Sequence, residues 1–234
     1  MKVLVIIPAY NESGNIENTV EILKKKCPEV DYLVINDCST DNTKAILKER
    51  QYNYLDLPIN LGIGGGVQAG YKYAVEKDYD IAIQYDGDGQ HNAEYIPQLI
   101  HTITEKKTDM VIGSRFIDKK GFQTSFMRRV GINIINGVIH VCTGNKITDA
   151  TSGFRATNKE LTLFFSQNYA QDYPEPEAIV AAIKNGFTVT EIPVIMNERA
   201  EGVSSINLAK SFYYMIKVIL AVILQAVVLK RRRK

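Results

Sequence analysis

Two carboxylates one residue apart, Asp86-Gly87-Asp88, lead into Gly89-Gln90-His91 and follow directly on the apolar run Ile81-Ala82-Ile83-Gln84-Tyr85. Acids held this close repel each other unless a cation or a shared proton relieves them. Glycines at 87 and 89 let the backbone curl so that both can face one ion. Hard oxygen ligands select Mg²⁺ or Mn²⁺, which keeps part of its water and completes its shell with phosphate oxygens. An ordinary surface turn, where Asp and Gly are also common, competes with that reading.

The elements around the pair argue for a ligand site. The run before Asp86 has the length of a buried strand, which puts the acids at a carboxyl end, where open α/β sheets bind ligands. Earlier in the chain, Val3 to Ile7 reads as a strand ending in Pro8-Ala9-Tyr10-Asn11-Glu12, and a helix is expected from about Asn15 to Lys26. Tyr32 to Asn36 reads as a strand ending in Asp37-Cys38-Ser39-Thr40-Asp41, then a helix to about Glu49. Tyr52 to Leu57 is a third strand, with a helix reaching Glu76. This alternation predicts an α/β fold with a mostly parallel, doubly wound sheet. Beyond it come a helix from about Asn92 to Thr104, the strand Met110 to Ser114, an irregular stretch from Phe116 to Met127 and a helix from Arg128 to Thr143. The Gly-containing turn Thr151-Ser152-Gly153-Phe154-Arg155 precedes short elements punctuated by Pro174 and Pro176, a helix from Glu177 to Asn185 and an edge strand from Thr188 to Met196 that carries Pro193.

Three successive strand ends thus offer Pro8 to Glu12, Asp37 and the Asp86/Asp88 pair to one crevice. A carboxylate such as Asp37 accepts hydrogen bonds from a base or ribose while a metal at Asp88 grips a diphosphate, which makes a site for a nucleotide diphosphate. The glycine run supplies a rival. Gly64-x-Gly66-x-x-Ala69, with Asp86 near the next strand end, matches the dinucleotide fingerprint of an NAD-dependent dehydrogenase. That rival places its fingerprint after the third strand and leaves Asp37, Asp88 and the Pro8 loop without work. Glycines that merely let helix and sheet approach fit either function.

Together, Pro8-Ala9-Tyr10-Asn11-Glu12, Asn36-Asp37-Cys38-Ser39-Thr40-Asp41, Asp86 to His91, Gly113-Ser114-Arg115-Phe116 and Asp149-Ala150-Thr151-Ser152-Gly153-Phe154-Arg155 resemble the family 2 glycosyltransferases of GT-A fold over roughly the first 200 residues. Within that family the chain looks most like the dolichyl- or polyprenyl-phosphate sugar synthases. The resemblance implies that Pro8, Ala9, Tyr10, Glu12, Asp37 and Asp86 hold the nucleotide, and that Asp86, Asp88 and Gln90 surround Mg²⁺ or Mn²⁺ and the diphosphate. It assigns Ser114, Arg115, Arg129, Arg155 and Ser204 to the acceptor, with Asp88, Arg115, Arg129 and Arg199 carrying the chemistry and Arg199 and Ser204 closing over the site. Arg155 is equally able to pair with Asp149. The implied reaction is inverting transfer of a hexose or N-acetylhexosamine, from a UDP-sugar in preference to other donors, to polyprenyl phosphate. Transfer to a saccharide hydroxyl stands as the alternative; it needs a carboxylate base, for which Asp172, Glu175 and Glu177 are candidates. A membrane-bound nucleotide-sugar sensor is the non-enzymatic reading.

Composition sets the setting. Three cysteines, Cys27, Cys38 and Cys142, form no close-spaced pair, so a reducing compartment fits best. The first apolar run is too short for a secretion signal, and a cytosolic body is expected. The terminal Lys230-Arg231-Arg232-Arg233-Lys234 contributes five of 28 basic residues; without it 23 face 26 acids, a net −3, which argues against nucleic acid as a partner. Residues 1–206 are expected to form the catalytic domain and 207–234 a membrane-associated helix with a basic tail. Ser211 to Leu229 is apolar except for Lys217 and Gln225 and would span about 28 Å as a helix. A crossing would put the basic tail on the side opposite the body, against the preference of such clusters for the cytosol. Asn207, Lys210, Tyr214, Lys217 and Gln225 fall within about 80° of the helical wheel, so a helix lying at the cytosolic face of the membrane, its basic end on anionic headgroups, reconciles the two. A core or dimer helix is the alternative for this segment, and a small membrane-protein partner or a homo-oligomer is the further association considered.

Overall fold

The computed structural model describes residues 1–121, 125–197 and 208–228. Seven strands form one sheet: β1 (Val3–Ala9), β2 (Asp31–Asn36), β3 (Tyr54–Asp56), β4 (Ile81–Gln84), β5 (Met110–Ser114), β6 (Arg155–Asn158) and β7 (Val189–Pro193), in the spatial order β3-β2-β1-β4-β6-β5-β7. The expected parallel core is present: β1 pairs in parallel with β2 and β4, and β2 with β3. The helices are α1 (Ile16–Lys26), α2 (Thr43–Glu49), α3 (Gly62–Glu76), α4 (Ile96–Lys106), α5 (Phe126–Thr143), α6 (Lys159–Gln167), α7 (Pro174–Lys184) and α8 (Leu208–Val228).

Strand β1 is buried along its whole length and feeds both faces of the sheet. Leu4 and Ile6 point into a cluster built with Val67 and Tyr71 of α3, Ile135 and Ile139 of α5, Phe165 of α6 and Ile179 of α7. Val3, Val5 and Ile7 point the other way, against Ile16, Val20 and Leu23 of α1 and Leu99 and Ile103 of α4. Each such side chain contributes about 1.5–3 kcal/mol on burial. Because the central strands are covered on both faces, their sequences are continuous apolar runs.

The turn after Thr151 differs from the sequence expectation. Arg155 to Asn158 forms β6, which runs antiparallel between β4 and β5 and separates two strands that sequence order alone would make neighbours. The short elements that follow include the full helix α6, and Pro174 and Pro176 belong to the first turn of α7, where a missing N–H costs nothing. Strand β7 is at the sheet edge, as its proline required.

The glycine run opens α3. A β-carbon at Gly64 would overlap the carbonyl of Ala170 and lie 2.6 Å from Cα of Gln171. Close approach of this helix to the 170–171 segment therefore accounts for that glycine. At the other end of the chain, α8 lies against α5 and α7 with Val218, Val222 and Ala226 buried. Among the described residues no helix is long and apolar enough to cross a membrane.

Candidate active site

A cleft of about 360 Å³ opens at the carboxyl ends of β1, β2 and β4, lined by Pro8, Ala9, Tyr10, Glu12, Asp37, Asp86 and Asp88 together with Asn60, Gly62, Ile63, Gly66 and Gly87. Seven residues drawn from three separated motifs thus share one wall, because parallel strands deliver their following loops to the same edge. Asn60 and Ile63 were not singled out beforehand, and Gly66 only as part of the rival dinucleotide fingerprint. The signal for them lay in the glycine run, which has to bring the start of α3 up to the β1 and β2 loops.

Local hydrogen bonds set the shape of this wall. The loops after β1 and β2 are laced together: the Asn11 and Glu12 N–H groups donate to Ser39 Oγ and Thr43 Oγ1, and Asn11 Oδ1 accepts from the Thr40 N–H at 2.8 Å. Asp41 accepts from the N–H of Ser13 and of Thr43. Asn11 and Cys38 both take left-handed backbone conformations, each with φ +57, where the loops turn away from their strands. Asp37 is buried; its Oδ1 accepts the Leu61 N–H at 2.7 Å, and the Asn60 amide donates to its carbonyl. The first turn of α3 is thereby tied to the carboxyl end of β2.

The acidic loop has two unlike carboxylates. Asp86 is held from several sides: Gln84 Nε2 donates to its Oδ1 at 3.0 Å, His91 Nε2 lies 3.6 Å from its Oδ2, and a β-carbon on Gly153 would overlap the carboxylate. Its backbone N–H donates to His91 Nδ1, so the neutral imidazole carries its proton on Nε2, facing the acid. Burial holds the His91 pKa below its usual value, against the pull of Asp86 and Asp88. The ring stacks on Phe154 at 4.8 Å, and the Tyr85 hydroxyl donates to the His91 carbonyl. Asp88 curls back at Gly89, whose φ is +76, to accept the Gln90 N–H on its Oδ1. Gln90 lies beside the cleft, its carbonyl accepting the Asn197 N–H.

Among the described residues no group of three His, Cys, Asp or Glu converges on a point. A pair of carboxylates with one amide nonetheless suits Mg²⁺ or Mn²⁺, which takes few protein ligands when phosphate oxygens and water supply the others. The donor set present is therefore compatible with such an ion at Asp86, Asp88 and Gln90.

A second group of the candidate residues surrounds Phe116. Arg115, at the end of β5, sends Nε and Nη2 to Asp149 at 2.7 and 2.8 Å, and Asp149 is completely buried. Arg129, in the first turns of α5, lies over the Phe116 ring at 3.5 Å, with Arg115 at 5.1 Å from the same ring. Arg129 Nη1 is buried and has no hydrogen-bond partner among the described residues, and burial lowers the guanidinium pKa. Ser114 is enclosed, its hydroxyl 2.6 Å from Thr148 Oγ1 and accepting the Phe116 N–H. His91 is close enough to Arg115 and Asp149 to feel their charges.

Arg155 corrects one expectation. It is fully buried, donating to the carbonyls of Ser152 and Glu175, and has no surface to offer an acceptor. It does not pair with Asp149 either, which is engaged by Arg115. Ser114 is likewise turned into the fold. Arg199 and Ser204 lie outside the described residues. Of the three candidate bases, Asp172 is exposed and Glu177 half-buried, while Glu175 sits near Arg155 and Asp86, its pKa raised by burial.

Residues 4–163 match the family model described as Glycosyl transferase family 2. The chain is 29% identical over 219 residues to polyprenol monophosphomannose synthase of Mycolicibacterium smegmatis, covering 88% of this chain and 81% of that one. It is 31% identical over 212 residues to UDP-N-acetylglucosamine--dolichyl-phosphate N-acetylglucosaminyltransferase of Methanococcus voltae, with 82% and 84% covered. Among solved structures, glucosyl-3-phosphoglycerate synthase from Mycobacterium tuberculosis, in complex with Mn²⁺, uridine diphosphate and phosphoglyceric acid, superposes with a TM-score of 0.74 at 17% identity, covering 96% of this chain and 78% of that one.

Proposed function

The chain belongs to glycosyl transferase family 2 and is a glycosyltransferase; from that premise we propose that it moves a hexose or N-acetylhexosamine, with inversion, from a UDP-sugar to polyprenyl phosphate at the cytosolic face of a membrane. The observation that carries the reading is the shared cleft, which is lined at once by Asp37, the Pro8 to Glu12 loop, Asp86 and Asp88. The arginine cluster around Phe116 lies beyond His91. Relatives of similar length that act on prenyl phosphates support the choice of acceptor.

In this reading Asp37 accepts a hydrogen bond from the base, and the loops after β1 and β2 hold the nucleoside. Asp86, Asp88 and Gln90 would hold Mg²⁺ or Mn²⁺, which supplies positive charge to the departing diphosphate. Arg115 and Arg129 bind the acceptor phosphate and aim one oxygen at the anomeric carbon on the face opposite the leaving group. That oxygen is already anionic at neutral pH, so no general base is needed. The Arg129 guanidinium lies on the Phe116 ring, and a desolvated guanidinium binds phosphate more strongly than one in water.

A thermal-shift titration tests the nucleotide half. UDP or a UDP-sugar with Mn²⁺ is expected to raise the unfolding midpoint, with about 2.7 kcal/mol of added stability at a hundredfold excess over Kd, and Asp88→Ala is expected to lose the Mn²⁺-dependent part together with turnover. A shift that is the same with a chelator present would contradict the reading.

A further inference from the structure

The Arg115 guanidinium is held by Asp149, which lies in a segment between α5 and β6 that belongs to no helix or strand. Two side chains from different elements grip that segment. Glu191, on edge strand β7, accepts the N–H of Thr148 on one carboxylate oxygen at 2.8 Å and the N–H of Asp149 on the other at 2.9 Å. Asn136, on α5, donates to the Thr148 carbonyl at 2.8 Å and accepts the Ala150 N–H at 3.1 Å. Four backbone groups across three consecutive residues are therefore held by one carboxylate and one amide.

The chemistry of these two residues is specific. Only a carboxylate presents two acceptors to two adjacent N–H groups; a glutamine would turn a donor against one of them. The Asn136 amide answers a carbonyl and an N–H at the same time, which an aspartate in its place, an acceptor only when ionised, would not. The segment they fix carries Asp149, whose carboxylate accepts the backbone N–H and guanidinium of Arg115 and the Thr151 hydroxyl, and Thr148, whose hydroxyl meets that of Ser114.

We propose that Glu191 and Asn136 are positioning residues that act through the 148–150 segment and Asp149 to hold Arg115 in register with the acceptor phosphate. The inference rests on the reading of Arg115 as an acceptor contact. Neither residue lines the nucleotide cleft. Displacing the guanidinium by about 1 Å is enough to cost a contact of this type roughly a hundredfold.

The test uses full-length enzyme, a UDP-sugar donor with Mn²⁺, and a short-chain, water-soluble prenyl phosphate. Glu191→Gln and Asn136→Asp each leave a side chain of nearly the same volume while breaking one half of the grip. Both are expected to raise KM for the prenyl phosphate about tenfold or more while Kd for Mn²⁺-UDP, read by titration calorimetry, stays within twofold. Asn136→Asp keeps the inference testable if Glu191→Gln does not fold. Equal losses in acceptor KM and nucleotide Kd would mean a merely structural role and overturn the inference. Arg115→Ala separates it from the functional reading. If Arg115→Ala raises the acceptor KM and the two variants do not, the positioning role is wrong; if Arg115→Ala leaves the acceptor KM unchanged, Arg115 is no acceptor contact and the reading beneath falls with the inference.

Discussion

Arg155 and Arg115 stand in neighbouring motifs and carry the same charge, yet the fold uses them differently. The first is a structural donor to two main-chain carbonyls; the second is paired through its guanidinium to the buried carboxylate of Asp149. Replacing Arg155 by Leu leaves buried carbonyls without donors and should cost about 3 kcal/mol or more, read as a lower urea midpoint, with the donor KM unchanged in the folded fraction. Glu177 supplies a pH test. Burial, and after it the neighbouring Asp172, push its carboxyl above the usual range. A carboxyl whose folded pKa exceeds its unfolded one takes up protons on folding, so its stabilising contribution is complete below the unfolded pKa and is lost as pH rises through the folded value. Glu177→Gln, which keeps an oxygen for the first-turn N–H, should therefore raise the melting midpoint near pH 8 and leave it unchanged near pH 4; an equal gain at both would contradict the assignment. The nucleotide-side residues were legible in the sequence because each stands at the end of a recognisable strand. The partner of Arg155 was not, because it depends on which segments the fold brings against β6.

At the scale of elements, strands β1 to β5 followed from apolar runs bounded by Asp, Gly and Pro. Strand β6 did not: it has four residues, begins with a buried arginine, and owes its existence to β4 and β5 on either side. Local pattern holds no record of such an insertion. Helix α7 was read too short because prolines stop a helix from within but start one from its first turn. Two glycine substitutions separate packing from propensity. Gly64→Ala drives a methyl into the 170–171 backbone and should cost about 1–3 kcal/mol. Gly137→Ala, mid-helix on α5 with open space around it, should add about 0.5–1 kcal/mol. Thermal melts of the two variants check both signs.

For the whole molecule, α8 is a structural element as well as the proposed membrane contact. Val218, Val222 and Ala226 pack on the body, while Leu220, Leu224, Val227 and Val228 remain exposed, Leu224 at 62% and Val227 at 70%. Deleting 208–234 would uncover the faces of α5 and α7, so substitutions on the exposed side test the membrane reading more cleanly. Leu224→Glu with Val227→Glu should abolish co-sedimentation with anionic vesicles without lowering the melting midpoint, whereas Val222→Asp should destabilise the fold. The amphipathic pattern was visible in the sequence, but which apolar positions meet the body depended on helices distant along the chain. The central claim is transfer of a sugar, with a divalent ion, onto a lipid phosphate, and mass analysis of the product tests it most directly. Enzyme supplied with UDP-sugar, Mn²⁺ and polyprenyl phosphate is expected to yield the acceptor plus one sugar, linked through its single phosphate, and nothing once the metal is chelated. Product formed equally well with chelator, or sugar found only on a saccharide hydroxyl, would contradict the account.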